Sequence, residues 1–383
     1  MTRIAMISTH FIPHVSGLTT HVLGVSRELV RRHGCKVTVF SPDFGGKFRD
    51  EGSTPEGIEY KNYRSIALSK TFCLPIQSPN SFLGDYQYDI VHVHSYTHPI
   101  PLLVAFERLV TNKRTGCKYV FTPHYHPFSG TLGTKMMRVP YDIAFRRLIL
   151  GSFDGIICTT EAERRILMRE TGTTPIMVIP NGVDLDEIQS VVVDGSITDL
   201  LRADERFQFR VVYCGNLLKY KGVQYVLHAL SILKEGGISV ELSVVGDGPY
   251  RVHLAKLTQD LGIQSQVRFL GFLPRSQQLG VIKASDALVL ASEYESFGIV
   301  LVEAMALGKA VVASDVGGPT SMGIPKEFLV RYGDSHGLAS ALKLLVSSRV
   351  DRQLLGARYI QTVKEKYSWE QIGSSTADFY ASL

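Results

Sequence analysis

The sequence is short of cysteine, and the few cysteines that it has follow no pattern. There are five, an odd number, and none forms a C-x-x-C pair. This usage indicates neither a disulfide framework nor a cysteine zinc site, and it fits a reducing compartment best. The sequence also lacks an apolar run long enough to cross a bilayer, and a strand-like segment stands where a signal peptide would. Together these absences predict a cytoplasmic protein.

Two nucleotide-binding signatures are missing as well. The loop after the first predicted strand offers only Gly17 where a dinucleotide-binding protein has G-x-G-x-x-G, which argues against a NAD-dependent oxidoreductase. No G-K-[ST] occurs, which argues against a P-loop phosphotransferase. The net charge of +5 is too small to indicate nucleic-acid binding, although it suits an anionic substrate or an anionic membrane surface.

What the sequence does contain is a regular alternation of strand-like and helix-like segments. Many strand candidates are continuous apolar runs, such as residues 89–93, which suit parallel strands buried on both faces. The alternation predicts α/β doubly wound, Rossmann-like domains. The predicted strands are 3–8, 36–40, 58–64, 89–95, 118–122, 154–160, 175–179, 209–214, 239–245, 266–270, 286–291, 309–314 and 328–331. The predicted helices include 17–33, 99–113, 222–236, 249–262, 299–307 and 368–383.

A length of 383 residues suits two domains rather than one. The strand–helix rhythm stops at residues 184–208, where polar and charged residues dominate, and we place a hinge at 184–189. The predicted domains are an N-terminal, acceptor-side domain (1–188) and a C-terminal, nucleotide-sugar-binding domain (189–366), with a last helix (367–383) that packs back on the first. Ligands of open α/β sheets bind at the carboxyl ends of the strands, so two such domains face to face would make a deep cleft.

The strongest chemical signal is the segment 292–304, which reads SEYESFGIVLVEA and joins a buried strand to a helix. Gly298 allows close approach of the backbone to a ligand, and the first N–H groups of the helix can hold an anion. Glu295 and Glu303 flank this anion site, where carboxylates are costly unless they bind hydroxyl groups such as those of a sugar or a ribose. The structural alternative makes Glu295 a helix-start carboxylate and Glu303 a solvated helix residue.

This segment resembles the E-x-F-G-x-x-x-x-E motif of the retaining glycosyltransferases of family 4, which have the two-domain GT-B fold. The resemblance spans nearly the whole chain and rests on the joint order of several motifs. They are PNGVD at 180–184, VGDGP at 245–249 and GKAVVASDVGG at 308–318. The segment 319–324 departs from the family, in which a proline–glutamate pair follows the glycines.

The resemblance implies a role for each residue of the glutamate motif. Glu303 would bind the ribose hydroxyls of a nucleotide-sugar donor, and Glu295 would lie beside the transferred sugar. The backbone N–H groups at Phe297, Gly298 and Ile299 would lie near the sugar and the diphosphate.

A second candidate segment is 215–222, which reads GNLLKYKG between a strand and a helix. Cations and helix N–H groups there could neutralise a leaving diphosphate. Family 4 usually has G-R-L and then K-G, so Lys221 matches the expected lysine, and Asn216 follows Gly215 where an arginine is expected. Three interpretations stay open: Lys219 supplies the missing charge, Asn216 bonds a phosphate less strongly, or the enzyme is weak or inactive. Lys219 as an ordinary exposed loop lysine is the plain alternative.

Two further candidates lie in the N-terminal half. Ser16-Gly17 replaces the Gly-Gly pair with which the family approaches the diphosphate, and an ordinary turn is the alternative. His124, in FTPHYH at 121–126, matches the family histidine that donates a hydrogen bond to the sugar. His126 is the second candidate for this role. A structural role for the histidine is the alternative. His92 and His94 share one face of a strand, so a metal pair is possible, but no third ligand is apparent. A structural or cleft-lining role is expected for both, and no metal site is predicted.

The sequence therefore predicts a glycosyltransferase that retains anomeric configuration and needs neither metal nor cofactor. The donor is a nucleotide sugar, most simply UDP- or GDP-linked, and the acceptor a saccharide or a lipid-linked molecule. The catalytic candidates are His124, Lys221 and Glu295. The segment 132–150 combines basic and apolar residues and suggests attachment to the inner face of a membrane, although a core helix with a basic face is the alternative. A non-catalytic nucleotide-sugar-binding protein remains the second function class.

Overall fold

The structure is a computed structural model of the 383-residue chain. It describes residues 1–12, 17–47, 51–69, 72–84, 87–96, 98–111, 116–125, 148–168, 171–201, 206–207 and 209–383. Two compact units are present: a first unit of Met1–Gly182 with Trp369–Leu383, and a second unit of Val183–Ser368. Residues 183–188, which the sequence prediction placed in the N-terminal domain, belong to the second unit.

The first unit contains an eight-stranded sheet in the order β10-β9-β8-β7-β1-β2-β4-β3, and a small separate hairpin of β5 and β6. The strands of the eight-stranded sheet are parallel except for β3, which runs antiparallel to β4. The strands are β1 (Arg3–Ile7), β2 (Lys36–Pro42), β3 (Gly52–Ser53), β4 (Glu59–Tyr63), β5 (Ser65–Ala67), β6 (Cys73–Pro75), β7 (Ile90–His94), β8 (Lys118–Thr122), β9 (Gly155–Cys158) and β10 (Ile176–Val178).

The second unit contains a six-stranded, all-parallel sheet in the order β13-β12-β11-β14-β15-β16. Three of its six strands, β12, β14 and β15, are buried along their whole length, which is why they are apolar runs. The strands are β11 (Phe209–Cys214), β12 (Val240–Val245), β13 (Val267–Gly271), β14 (Ala287–Leu290), β15 (Ala310–Ser314) and β16 (Leu329–Val330).

Helices cover the sheets and connect their strands. The α-helices are α1 (Gly17–His33), α2 (Pro79–Leu83), α3 (Ile100–Thr111), α4 (Glu161–Leu167), α5 (Leu185–Ser190), α6 (Gly195–Leu201), α7 (Val223–Glu235), α8 (Arg251–Asp260), α9 (Arg275–Ala284), α10 (Ile299–Ala306), α11 (Ser335–Ser347), α12 (Arg349–Lys366) and α13 (Trp369–Ser382). Short 3₁₀ helices cover Lys219–Lys221, Gln264–Gln266, Pro319–Ser321 and Lys326–Phe328.

The predicted α/β doubly wound architecture is confirmed. Every predicted strand and helix is present, within two residues at each end. The interpretation of residues 184–208 as a break is incomplete, because they contain α5 and α6. These helices bury only one or two side chains each, so they leave no clear periodicity in the sequence. Ser16, His126 and the segment 132–147 lie outside the described residues.

The last helix, α13, packs on α1 within the first unit. Trp369, the only tryptophan of the chain, begins this helix and is 8% exposed. A Cβ atom at Gly24 or at Gly182 would lie 2.4 Å from its indole ring. Glycine at both positions therefore leaves the space that the indole ring fills.

Candidate functional site

In the second unit, glycines bring the turns after neighbouring strands into backbone contact. A Cβ atom at Gly222 would lie 1.8 Å from the carbonyl oxygen of Ala291, and one at Gly246 would lie 2.0 Å from that of Gly215. These distances are too short for any side chain, so glycine is required. The turn 215–222 is thereby held against the carboxyl end of β14.

The glutamate segment 292–298 is fixed in the same way. Gly318 donates its N–H to the carbonyl oxygen of Glu295 at 2.9 Å, and a Cβ atom there would lie 2.3 Å from the carbonyl oxygen of Phe297. Gly298 has a φ of 87°, which favours glycine, and it ends the segment just before Ile299 begins α10. The glycines of these motifs therefore position the loops that carry the candidate residues.

Lys221 and Glu295 form an ion pair across these two loops. The distance from Lys221 Nζ to Glu295 Oε2 is 2.8 Å, and the side chains are 17% and 16% exposed. Asn216 and Lys219 are exposed in the same turn. The carbonyl oxygen of Asn216 accepts a hydrogen bond from the hydroxyl of Tyr213, which fixes the backbone where the family arginine is expected. The turn thus holds one paired lysine and one exposed lysine.

Glu303, on α10, is 1% exposed, so the alternative that made it a solvated helix residue is wrong. Its Oε1 accepts a 2.6 Å hydrogen bond from Arg275, whose Nε also donates to both carboxylate oxygens of Glu187 at 2.8 and 2.9 Å. The other oxygen, Oε2, is buried without a hydrogen-bond partner among the described residues, and the Gln278 side chain lies near enough to lower the pKa of the carboxyl. Burial raises the pKa of the Glu303 carboxyl, and the Arg275 guanidinium opposes that rise.

Sequence reasoning missed Arg275. The residue begins α9, and nothing in its local sequence indicates a partner on α10, 28 positions later. Pairing with a buried carboxylate explains it, because an unpaired buried charge is strongly destabilising.

In the first unit, His124 follows β8 with a φ of 48°, a conformation that is strained for a residue with a side chain. Hydrogen bonds hold the backbone on both sides of it. Tyr96 N–H donates to the carbonyl oxygen of Pro123 at 2.7 Å, and Tyr125 N–H donates to the buried carboxylate of Glu163 at 2.6 Å. Strain of this kind persists only where the surroundings impose it, and it is typical of functional positions.

His124 lies in a cluster with His21 and His94. The ring centres of His21 and His124 are 4.9 Å apart, and those of His94 and His124 are 5.7 Å apart. Burial lowers the pKa of all three imidazoles, that of His21 to about 4, so the rings are neutral near pH 7. The sequence showed no third metal ligand beside His92 and His94, and the structure brings His21 and His124 to His94. His21 lies on α1, and only the tertiary structure brings it to β7 and β8.

Gly17 begins α1, and a Cβ atom there would meet nothing within 4 Å. No atom of the described chain therefore demands glycine at this position. The predicted site residues are divided between the units. Gly17 and His124 belong to the first unit, and the second contains Gly215, Asn216, Lys219, Lys221, Glu295, Phe297, Gly298, Ile299 and Glu303.

Comparison with known families agrees with this arrangement. Residues 15–187 match Glycosyltransferase Family 4, and residues 202–362 match Glycosyl transferases group 1. The chain belongs to glycosyltransferase family 4. Its activity class is therefore sugar transfer. The candidate residues of the first unit lie within the first match, and those of the second unit lie within the second match.

Known proteins resemble this glycosyltransferase over its full length. A phosphatidylinositol N-acetylglucosaminyltransferase subunit of Arabidopsis thaliana is 24% identical over 99% of this chain and 81% of its own. A sucrose-phosphate synthase of Thermosynechococcus elongatus has a TM-score of 0.79 at 21% identity, with 100% and 99% of the chains covered. Anabaena HepE in complex with UDP has a TM-score of 0.74 at 19% identity, with both chains fully covered. The predicted GT-B fold is confirmed.

No helix in the described part of the glycosyltransferase has the length and apolar character needed to cross a membrane.

Proposed function

We propose that this family 4 enzyme transfers a sugar from a nucleoside-diphosphate sugar to a lipid or saccharide acceptor, with retention of anomeric configuration. The observation that carries the proposal is the state of Glu303. Its buried carboxylate has one oxygen fixed by Arg275 and the other without a partner among the described residues. A buried acceptor without a donor is costly, and vicinal ribose hydroxyls are donors that fit it.

The pair of Lys221 and Glu295 supports the same proposal. The two side chains are mostly buried, so a charge that develops beside them is weakly screened. Lys221 would stabilise the diphosphate as the sugar–phosphate bond breaks, and Lys219 would add a second positive charge in the place of the family arginine. Glu295 would accept hydrogen bonds from the hydroxyls of the transferred sugar.

The chemistry assigned to these residues needs neither cofactor nor metal at the diphosphate. The acceptor hydroxyl attacks the anomeric carbon on the face that the diphosphate leaves, and the leaving phosphate takes the proton. Retention follows because the new bond forms on the side of the old one. Preorganised charges such as Lys221 would provide most of the rate effect. His124 is neutral and can donate one N–H to the sugar.

Two comparisons guide the choice of substrates. A structure of HepE contains UDP, which favours a uridine diphosphate donor here. The Arabidopsis relative acts on phosphatidylinositol according to its name, which favours a lipid acceptor and hence peripheral attachment to a membrane.

A non-catalytic nucleotide-sugar-binding protein is the second candidate, and one observation favours it. Asn216 is neutral where the family arginine would contact the donor phosphates. In that case the protein would bind the donor normally and transfer nothing.

The first experiment is thermal unfolding with UDP, GDP, ADP and their common sugar conjugates. A ligand at about 100 times its dissociation constant stabilises the protein by about 2.7 kcal/mol. We expect one nucleoside diphosphate and its sugar to raise the Tm. Glu303→Gln should abolish the shift, whereas Glu293→Gln, an exposed glutamate of the same segment, should preserve it.

The stabilising donor is then incubated with candidate acceptors, and the anomeric configuration of the product is read by NMR. Retention supports the proposal, and an inverted product overturns its mechanism. Donor binding without transfer to any lipid or saccharide acceptor favours the non-catalytic candidate.

A further inference from the structure

Three histidines from distant parts of the sequence meet in the first unit. His21 lies on α1, His94 ends β7, and His124 follows β8. One ring nitrogen from each lies within 4.8 Å of the others. We propose that His21, His94 and His124 form a binding site for a divalent transition-metal ion, for which zinc is the best fit.

The geometry of the cluster matches zinc with little movement. With Zn–N bonds of about 2.1 Å, two nitrogens of a tetrahedral zinc lie about 3.4 Å apart, and the ring centres lie about 5 Å apart. His94 Nδ1 and His124 Nε2 are 3.4 Å apart. The three ring-centre distances are 4.9, 5.6 and 5.7 Å. Only the His21 nitrogen has to approach the other two.

Hydrogen bonding separates these histidines from their neighbour on β7. His92 is fully satisfied, with Nδ1 2.6 Å from the Tyr380 hydroxyl and Nε2 2.7 Å from the Thr122 hydroxyl. In contrast, His94 Nε2 is buried without a hydrogen-bond partner among the described residues, and the only side chain that raises the pKa of the buried His21 imidazole by hydrogen bonding is Asn181. His92 is therefore structural, whereas His94 directs Nδ1 at His124 and its other nitrogen has no partner among the described residues.

The chemistry of the ligands selects the metal. No carboxylate or thiol belongs to this group within the described residues, and imidazole suits zinc, copper and nickel rather than magnesium or calcium. His21 and His94 are 4% and 0% exposed, whereas His124 is only partly buried, so an ion would enter beside His124. Burial already keeps the rings neutral, as metal ligation requires.

Three protein ligands leave a fourth position on zinc for water or a small anion. Bound zinc would occupy Nε2 of His124, so a sugar hydrogen-bonded to that nitrogen would be displaced. If His124 acts in transfer through this nitrogen, zinc is an inhibitor of this glycosyltransferase. This consequence rests on the proposed function, whereas the metal site itself does not.

The test is a cobalt and zinc titration of the full chain after treatment with a chelator. We expect one cobalt ion per chain, visible absorption typical of tetrahedral coordination, and displacement by zinc. Trp369 gives a second readout, because its ring centre is 6.1 Å from that of His21 and bound cobalt quenches its fluorescence. His94→Gln should weaken zinc binding by more than about 100-fold. His253→Gln, an exposed histidine on α8, should leave it unchanged.

His21→Gln provides an independent variant, and circular dichroism verifies that each variant is folded. Absence of tetrahedral cobalt absorption in the wild-type protein would overturn the proposal, and so would equal zinc affinity in the wild type and His94→Gln. The transfer reaction is then assayed with and without zinc. Zinc that binds at the histidines without slowing transfer would leave the site intact and remove the proposed role of His124.

Discussion

The two units build their candidate residues on the same kind of sheet, but the histidine cluster of the first and the Glu303 site of the second differ in charge. The first unit gathers neutral imidazoles: His21, His92 and His94 are buried next to one another, and none has a carboxylate partner in the described hydrogen bonds. The second unit buries formal charges and pairs them, as in Glu303 with Arg275. One scaffold can thus present either hydrogen-bonding rings or fixed charges at the ends of its strands.

This difference gives the histidines of the first unit and Glu303 of the second pH dependences of opposite sign, although burial also raises the pKa of Glu163 in the first unit. In the first unit, burial lowers the pKa of the histidines, so the unfolded chain takes up protons before the folded one, and stability falls with falling pH. In the second, burial raises the pKa of Glu303. In the folded chain the Glu303 carboxyl keeps its proton to higher pH than in the unfolded chain. This contribution to stability is lost as pH rises above the pKa of a glutamate in the unfolded chain.

The largest effect is expected from the paired lysine of the second unit. Lys221→Gln should lower kcat/KM by roughly 100- to 1000-fold, because a fixed, mostly buried charge is lost from the diphosphate. Lys219→Gln should cost about tenfold at most, because Lys219 is exposed and its charge is screened. The measurement is steady-state transfer with the donor that the thermal panel identifies. Equal losses in the two variants would show that the ion pair with Glu295 gives Lys221 no advantage.

The next effect concerns acid stability of the first unit in protein freed of metal. The pKa of His21 is about 4 in the folded chain and about 6.5 when unfolded. This histidine alone should therefore lower the free energy of unfolding by about 3 kcal/mol as pH falls from about 6.5 to 4. His92, His94 and His124 act in the same direction. Urea unfolding followed by Trp369 fluorescence reports on this unit.

The control is His21→Gln, which should flatten the pH dependence, whereas His253→Gln should preserve it. If the unfolding midpoint read by Trp369 stayed constant between pH 7 and 5, the imidazoles would not be held neutral by burial. The comparison between the units would then fail.

The sequence allowed the sheets to be predicted well because their strands are buried on both faces. The composition of a run such as Ile90–His94 is enough to assign it as a buried strand. Short edge elements carry no such signal: β3 has two residues, and the β5–β6 hairpin exposes Ile66 and Leu74. The strands that the sequence did not predict are therefore those stabilised by neighbouring strands rather than by their own apolar residues.

The candidate site was predictable only where local motifs contain it. Glu295, Glu303 and Lys221 were found because each lies in a recognisable segment. Arg275 and His21 were not, because a lone arginine or histidine on a helix is ordinary until tertiary structure places it beside Glu303 or His94. Gly222, Gly246 and Gly318 serve close backbone packing, a role that the sequence alone did not indicate.

Removal of the partner of Glu303 should have a smaller effect than loss of Lys221. Arg275→Gln takes away the charge that opposes the raised pKa of the Glu303 carboxyl, so that pKa should rise further. Donor affinity should fall about tenfold near pH 7 and recover as pH increases, because only the carboxylate accepts two ribose hydroxyls. Arg275→Lys should restore part of the loss. A dissociation constant with the same pH profile in Arg275→Gln and the wild type would remove Arg275 from the ribose site.

The smallest effect is a gain rather than a loss. Asn216→Arg restores the residue that family 4 usually has, and the position is exposed, with its backbone fixed by Tyr213. A charge-assisted bond to a donor phosphate should tighten donor binding several-fold, by about 1 kcal/mol, as measured by calorimetry. Asn216→Gln, which lengthens the side chain without charge, is the matched control. Because Lys219 is the alternative source of that charge, the gain should be larger in Lys219→Gln than in the wild type. Equal gains in both backgrounds would mean that the two cations act independently, and no gain in either would leave the phosphates to Lys221.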